Sequence, residues 1–508
     1  MIKKIVLFFT LIISVKSVAQ NAGTFCFEAN IGGFSLPGTG LIQASDGNFY
    51  VGGTKGISTL NSDFYLCKIS GSGTLLWSKK MGIPGNDGCG AICEADGGNI
   101  VLAGETANGL HLMKSDSSGN ILSSYIYNNF DGEPKSIIRT ADKGYAVTGT
   151  YYYAIFVCRF DSSMNPMWAA YTNGTVVDGN CIIQTNDGGF AVAGSFNGNT
   201  ILIKLDSLGN SQWIKTAGGN TAEQGQAVIQ TGSGDYILAG CSEVMSITHY
   251  NIYLVKFNSS GNLLWTRTYG SPTYEDVAYS LVKTFDGGYA IAGYYVPGAW
   301  QGILVMKFDS NDSLQWSTVT TTSLGGTAYP RIVQTIDHGF AATARTPLAP
   351  TISVIKIDSM GNGCCMVPVT LPSGTGGTSG NGGTMSFYSN PTVSSGGTDT
   401  VISISSSLMC VSTGITPLKK KENEIFIFPN PSAGNFSIDF GYLVGNGTLE
   451  LYNIFRQKLF EQNIINESKK VIHLKSISAG IYFVKVFDGE KNYCKKVIVA
   501  HFNAPNEQ

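Results

Sequence analysis

Carboxylates and aromatic rings dominate the residues that could do chemistry. Asp87, Glu133, Asp178, Glu223 and Asp276 begin successive segments of similar pattern, and Tyr151, Tyr152, Tyr295 and Trp300 lie in stretches that vary in length and shape from one segment to the next. Acids interleaved with aromatics around a funnel can hydrogen-bond and stack on a glycan or a peptide. The same acids can also satisfy backbone amides at strand starts, with the aromatics merely covering edges. Paired carboxylates could instead run glycoside hydrolysis, a chemistry set by separations in space.

Other catalytic patterns are missing. The chain has no Gly-x-Ser-x-Gly elbow, no His-Glu-x-x-His and no phosphate-binding Gly-rich Lys motif. His111, His249 and His338 share no common spacing. Eleven Cys include no CxxC pair, and the Asp-x-x-Gly-Asn turns lack the ligand spacing of a calcium loop. The expectation is therefore no catalytic residue, no metal and no cofactor. With 33 Lys+Arg against 35 Asp+Glu, binding to nucleic acid through bulk positive charge is excluded.

The segments that position these residues are repeats. A turn residue at Asp46, Asp96, Asp142, Asp187, Ser233, Asp286 and Asp337 recurs at intervals of 50, 46, 45, 46, 53 and 51. An aromatic-apolar run and a Gly follow each turn, as in Asp187-Gly188-Gly189-Phe190-Ala191-Val192-Ala193-Gly194. A second block follows, as in Ile201-Leu202-Ile203-Lys204-Leu205-Asp206-Ser207-Leu208-Gly209-Asn210-Ser211-Gln212-Trp213. In it Lys68, Lys114, Arg159, Lys204, Lys256, Lys307 and Lys356 precede a hairpin turn, while Trp77, Trp168, Trp213, Trp265 and Trp316 follow it. Each basic residue is expected across the hairpin from its own Trp, where stem packing and a cation–π contact would stabilise the unit.

Each repeat supplies about four short strands in two hairpins. Such a unit cannot bury both faces alone, but seven packed around an axis can, which predicts an all-β chain whose core is a seven-bladed β-propeller over residues 20–365. Thr24 to Ile31 reads as a last strand without the rest of its blade, with Phe27 at the Trp position. The seventh copy ends weakly at Gly363-Cys364-Cys365. The N-terminal strand is therefore expected to complete the seventh blade, with Cys26 near Cys364 or Cys365.

The Asp-Gly-Gly-Tyr and Lys-x-Asp-x-x-Gly-Asn-x-x-Trp blocks resemble the propeller repeats of secreted bacterial surface proteins. Gly-Asn-x-x-Trp is similar to the tryptophan-docking strand of quinoprotein-type propellers. This resemblance speaks for the fold and leaves the activity open.

The ends of the chain carry an address. Lys3 and Lys4, the apolar run Ile5 to Val15, and Ser17 and Ala19 before Gln20 read as a signal peptide over 1–19. Lys16 ends that run too early for a membrane anchor, and no later stretch is apolar enough to span a bilayer. Leu371 to Thr400 holds 20 Gly, Ser or Thr in 30 residues, so residues 366–418 read as a flexible linker. Residues 419–508 then carry 21 charges in 90 residues, against 47 in the preceding 418, and a run of short strands suggests a small β-sandwich.

In that tail, Phe428-Pro429-Asn430-Pro431, Leu449-Glu450-Leu451-Tyr452-Asn453 and Ser478-Ala479-Gly480-Ile481-Tyr482-Phe483-Val484-Lys485-Val486 closely resemble the type A C-terminal sorting domain of type IX secretion cargo. Phe455-Arg456-Gln457 departs from the family, which more often has a Gly before the Gln. The resemblance implies recognition by the type IX machinery, removal of the tail, and release from the cell or attachment to its surface. The whole chain therefore reads as a secreted or cell-surface, non-enzymatic propeller that binds a glycan or protein ligand. The competing reading is an extracellular polysaccharide hydrolase or lyase.

Overall fold

The computed structural model describes residues 23–30, 40–412 and 426–499, with short loop segments inside those spans excepted. Residues 1–19, which read as a signal peptide, Trp300, Cys364 and Cys365 lie outside the described residues. Apolar side chains on both faces of each strand favour sheets stacked face to face. Seven such sheets form, each a meander of four antiparallel strands. The fourth blade is typical, with Val177–Gln184, Phe190–Phe196, Asn199–Leu205 and Ser211–Gly218. First strands of successive blades neighbour one another in a ring, and Ala328–Gln334 of blade 7 meets Gly40–Gln43 of blade 1. Seven interblade cores of small and branched residues, such as Val192, Ile201, Ile203 and Leu205 against Ile155 and Val157, hold the ring.

Closure follows the sequence expectation. Thr24–Asn30 pairs antiparallel with Thr351–Ile357 as the fourth strand of blade 7. Its register differs by two residues: Phe25, not Phe27, lies opposite Lys356 where other blades place Trp. Phe25 packs edge-on against Phe49 of blade 1, so the aromatic contact to the next blade persists.

The supposed flexible linker is instead structural. Met366–Pro368, Ser373–Gly374, Thr378–Asn381, Thr384–Phe387, Thr392–Ser395 and Thr398–Val401 pair in turn with the outermost strands of blades 6, 5, 4, 3, 2 and 1. Ser405–Ser412 then pairs with Thr24–Asn30 of blade 7, with Cys410 opposite Cys26. The chain thus runs once around the ring through the blades and once back as a belt, giving every blade a fifth strand. Propeller blades leave an outer edge of unpaired amides and carbonyls, and the belt covers it. Small residues suit that role, because short strands joined by tight steps from blade to blade need backbone freedom more than side-chain bulk. Among the described belt residues, Leu371 is buried in the core between blades 5 and 6 with Val369 packed against it, Met366 packs against the core of blades 6 and 7, and Met385 against that of blades 3 and 4.

Hairpin chemistry repeats from blade to blade. Lys204 lies directly opposite Trp213, as expected, but its ammonium goes to the turn carboxylate of its own blade, 2.8 Å from Asp187. Lys68 with Asp46, Arg159 with Asp142, Lys307 with Asp286 and Lys356 with Asp337 repeat that pair. Burial by itself would raise the Asp187 carboxyl, but hydrogen bonds from Lys204, Thr185 and the Gly189 amide hold it at about 2. Each Trp meanwhile docks on the next blade. The Gly of the following blade's Asp-x-x-Gly or Asn-x-x-Gly turn adopts positive φ and lies so close that an added Cβ would sit 2.8 Å from the Trp168 ring at Gly209 and 3.0 Å from the Trp213 ring at Gly261.

Two blades depart from the pattern. In blade 2 the register aligns Gly97, not Asp96, with the turn position, and Asp96 pairs across the blade boundary with Arg139 and Lys143. In blade 5 Ser233 replaces the turn acid, and Lys256 takes Asp312 of blade 6 instead, at 2.8 Å.

The second unit spans residues 415–508. Two long strands, Asn435–Asn453 and Lys458–His473, form a bent hairpin flanked by Phe426–Phe428, Gly480–Phe487 and Asn492–Val499. Segments that read as separate short strands are halves of these bent ones; the register breaks between Asp439 and Val444. Phe436, Ile438, Leu449, Leu451, Ile464, Val484 and Val497 make one core.

Candidate functional site

The innermost strands carry a β-bulge at one repeated position. The unpaired residue is Gly90 in blade 2, Lys135 in blade 3, Asn180 in blade 4, Gln226 in blade 5 and Tyr279 in blade 6; blade 7 has an irregularity over Tyr329 and Pro330. A bulge re-aims a side chain without ending the ladder. Here Gly90, Lys135, Asn180, Gln226, Tyr279 and Tyr329 all line one axial cavity of about 290 Å³, together with Glu133, Asp178, Gln224 and Arg331. A second hollow of about 130 Å³ shares Gly90, Lys135 and Arg331, and is otherwise lined mainly by apolar residues such as Ile92, Ile137 and Ile332. The central channel therefore has a larger polar hollow at its mouth and a smaller one beside it, the two sharing Gly90, Lys135 and Arg331.

Charges in the mouth are partly committed. Lys135 donates to Asp178 Oδ1 at 2.9 Å, and Thr150 Oγ1 donates to the same oxygen at 2.9 Å. Burial pushes the Asp178 carboxyl up, but Lys135 outweighs it and the group sits below the usual carboxylate range. Asn180 donates to the Gly225 carbonyl, and Gln226 to Gln224. Tyr279 and Tyr329 pack edge to face at 4.9 Å, and Tyr329 is a non-glycine residue with φ of 54°.

Of the five expected acids, only Glu133 and Asp178 reach this site. Asp87, Glu223 and Asp276 are completely buried. Each accepts a loop amide, from Ile83 to Asp87 Oδ2 at 2.6 Å, Gly219 to Glu223 Oε2 at 3.1 Å and Val296 to Asp276 Oδ1 at 3.2 Å. They act as interblade pegs: the carboxylate tucks beside the last residue or next residue of the preceding blade's outer strand, at Gly82, Gly218 and Gly270, where a Cβ would collide with it. The aromatics also divide. Tyr151 packs against the core of blades 2 and 3, and Tyr295 against that of blades 5 and 6. Tyr152 is exposed at a tight turn with φ of 42° and stacks edge-on with Tyr151, away from the cavity lining.

Sequence reading missed Lys135, Asn180, Gln226, Tyr279 and Arg331. A signal was present. Gly90, Lys135, Asn180, Gln226 and Tyr279 each lie seven residues before the structurally aligned turn residue, a position whose side chain changes every time within an otherwise regular repeat.

Asp87 has an unusual neighbour. His111, also fully buried, holds Nδ1 at 4.0 Å from Asp87 Oδ1, and its Nε2 lies 2.7 Å from Ser124 Oγ. This Asp–His–Ser row is sealed between blades 1 and 2, beyond the reach of a substrate. Burial, reinforced by the nearby Asp63 charge, pushes the Asp87 carboxyl up to about 7, and burial pushes the His111 imidazole down to about 4. The pair is therefore neutral near pH 5.5 rather than an ion pair. The raised Asp87 value contributes stability below its ordinary 3.8 that is lost as pH rises through 7; the lowered His111 value contributes stability above its ordinary 6.5 that is lost as pH falls through 4. The two trends cancel between about pH 4 and 6.5. Asp87→Asn removes one of them. The variant should be more stable than wild type at pH 8, by up to about 4 kcal/mol at roughly 1.4 kcal/mol per pKa unit. Thermal unfolding of both proteins at pH 5 and pH 8 checks this: an unchanged difference at the two values would show that Asp87 is ionised throughout.

Among the described residues no cluster of three His, Cys, Asp or Glu is placed to hold a metal ion, and no helix is long and apolar enough to cross a membrane. In the second unit the hairpin carrying Leu449-Glu450-Leu451-Tyr452-Asn453 and the strand Gly480–Phe487 pair in register, joining two of the motifs noted in the tail. Residues 426–500 match the secretion system C-terminal sorting domain. This sorting domain is the type IX export signal, and it implies secretion or display at the cell surface.

No curated protein matches the chain. Solved structures similar to it include the AfRom2 CNH domain, 7% identical with a TM-score of 0.38, covering 65% of this chain and 99% of that one. Drosophila Plexin A in complex with Semaphorin 1b is 10% identical with a TM-score of 0.37, covering 65% and 87%. An endo-arabinase from Bacteroides thetaiotaomicron is 10% identical with a TM-score of 0.27, covering 66% and 98%.

Proposed function

We propose that the protein is a non-enzymatic binding or adhesion module, exported by the type IX route through its sorting domain and released from the cell or held at its surface. The observation that carries the export half is the match of residues 426–500, joined to an N-terminus that reads as a signal peptide over 1–19. The binding half is supported by the axial cavity, whose wall takes from five blades the bulged residue of the innermost strand, Gly90, Lys135, Asn180, Gln226 and Tyr279, a different side chain each time. The hydrolase or lyase reading loses support from the fate of its carboxylates: Asp87, Glu223 and Asp276 hold backbone amides in sealed pockets and cannot meet a substrate.

Deleting residues 415–508 should leave a folded propeller trapped inside the producing cell. Fractionation followed by blotting checks it. Normal appearance of the truncated protein in the medium or on the surface would remove the sorting role of the tail. A glycan array probed with the secreted protein, paired with a turnover screen on the ligands it retains, separates binding from catalysis. Turnover that vanishes in Asp178→Asn would restore the enzyme reading.

A further inference from the structure

We infer that the channel mouth binds a hexuronate, a single sugar ring bearing a carboxylate, through the Arg331 guanidinium. This deepens the binding reading above and rests on it.

Arg331 is the unspent cation among the described residues of the channel. It lines both hollows. Among the described residues its guanidinium forms no ion pair, and its one hydrogen bond, to the Tyr279 carbonyl, is long at 3.5 Å. The other cation of the lining, Lys135, is already held by Asp178. The remaining carboxylate, Glu133, is exposed at the rim on the blade 3 side and forms no ion pair with Arg331 among the described residues. A guanidinium drawn into a cavity is costly without a counter-charge, and its planar fork is matched to a carboxylate by two parallel N–H···O bonds. Burial also disfavours the charged form of Arg331, which an incoming anion would relieve.

The rest of the mouth suits a sugar ring. Tyr279 and Tyr329 stand beside Arg331 and offer aromatic faces to the C–H side of a pyranose, while the amides of Asn180 and Gln226 across the cavity can pair with hydroxyls. A volume of about 290 Å³ is at the lower end for small-molecule sites, room for one ring rather than a polymer segment. The ring can arrive free or as the end of an acidic polysaccharide.

Calorimetric titration of the full secreted protein tests this. The probes are galacturonate and glucuronate, the neutral galactose and glucose, a galacturonate trimer, and acetyl-dialanine as a carboxylate without a sugar. The expected result is binding of a uronate at least tenfold tighter than its neutral counterpart, lost at least tenfold in Arg331→Ala and partly kept in Arg331→Lys. A trimer that binds as well as the monomer assigns the site to chain ends; a trimer that fails assigns it to free uronate. Gln226→Ala, which leaves the charge in place, should weaken uronate several-fold and serves if Arg331→Ala does not fold. No uronate binding by the wild-type protein, equal binding of the neutral sugar, or tighter binding of the dipeptide would overturn the inference. A ligand found on the glycan array whose binding survives Arg331→Ala would leave the binding module standing and remove the channel from it.

Discussion

A chain ending at residue 365 is expected to unfold at least about 10 °C below one ending at residue 414, although the two differ only by a segment with the composition of a spacer. Both lack the sorting domain, so the difference isolates the belt. Between residues 366 and 412 the belt adds a fifth strand to each of seven sheets, with between two and seven residue pairs per blade. Each backbone hydrogen bond contributes only about 1 kcal/mol net, but removal would strip a strand from every blade at once and take away Leu371 and Met385, uncovering the blade cores they pack against. Seven open sheet edges would also invite association between molecules. Calorimetry and light scattering on the two truncations decide the matter. Midpoints within about 2 °C of each other would reduce the belt to a loosely laid linker. The same pairing predicts that proteases spare this Gly-rich stretch in the native protein, a behaviour no flexible linker shares.

Asp312→Gly should destabilise the propeller by about 2 kcal/mol, and adding Ser233→Asp should recover most of that loss. Five of the other six blades place a Gly where blade 6 has Asp312, blade 3 having Met164, and five place an acid where blade 5 has Ser233, blade 2 having Gly97. The structure explains both departures together. Lys256 is largely buried and finds Asp312 at 2.8 Å, with Asp235 further away at 3.8 Å. Asp312 also accepts from Trp265 Nε1 at 3.2 Å, so it occupies the docking position of the usual Gly and does the electrostatic task of the usual turn acid. Its φ of 64° costs something, which Gly would relieve, and this lowers the net loss from the 3 to 5 kcal/mol typical of a broken buried pair. Ser233→Asp alone should be neutral or unfavourable, since it crowds a third carboxylate around an ammonium that already has Asp312 and Asp235. A full double-mutant cycle by denaturant unfolding measures the coupling. Additive effects would mean that the two substitutions arose independently and do not compensate.

Much of the propeller was legible in the sequence because its signals are local. A turn needs Gly or an acid with a carboxylate near the backbone, a hairpin needs its Lys and Trp at fixed spacing, and seven repetitions raise weak signals above noise. Closure by Thr24–Asn30 was legible for the same reason: a strand without a blade and a blade without a strand must meet. The two-residue error in register arose because Phe25 and Phe27 point to the same side of a strand and spacing alone favours neither.

The belt was misread for a physical reason. Gly, Ser and Thr carry little side-chain information, so composition reports freedom in the unfolded chain and says nothing of edges waiting to be paired. The channel was misread differently. Acids at strand starts were expected to face a ligand together, yet Asp87, Glu223 and Asp276 turn inward to loop amides while Glu133 and Asp178 reach the axis. A bulge decides which residue points at the channel, and a bulge is a property of two paired strands. The sequence by itself determined the repeat count, the all-β architecture and the export address, since each is written in short-range pattern. Only the tertiary structure decided that the spacer is a second circuit of the ring and that Arg331 lines the axis with no ion pair among the described residues, because both depend on which edges and side chains meet once the ring has closed.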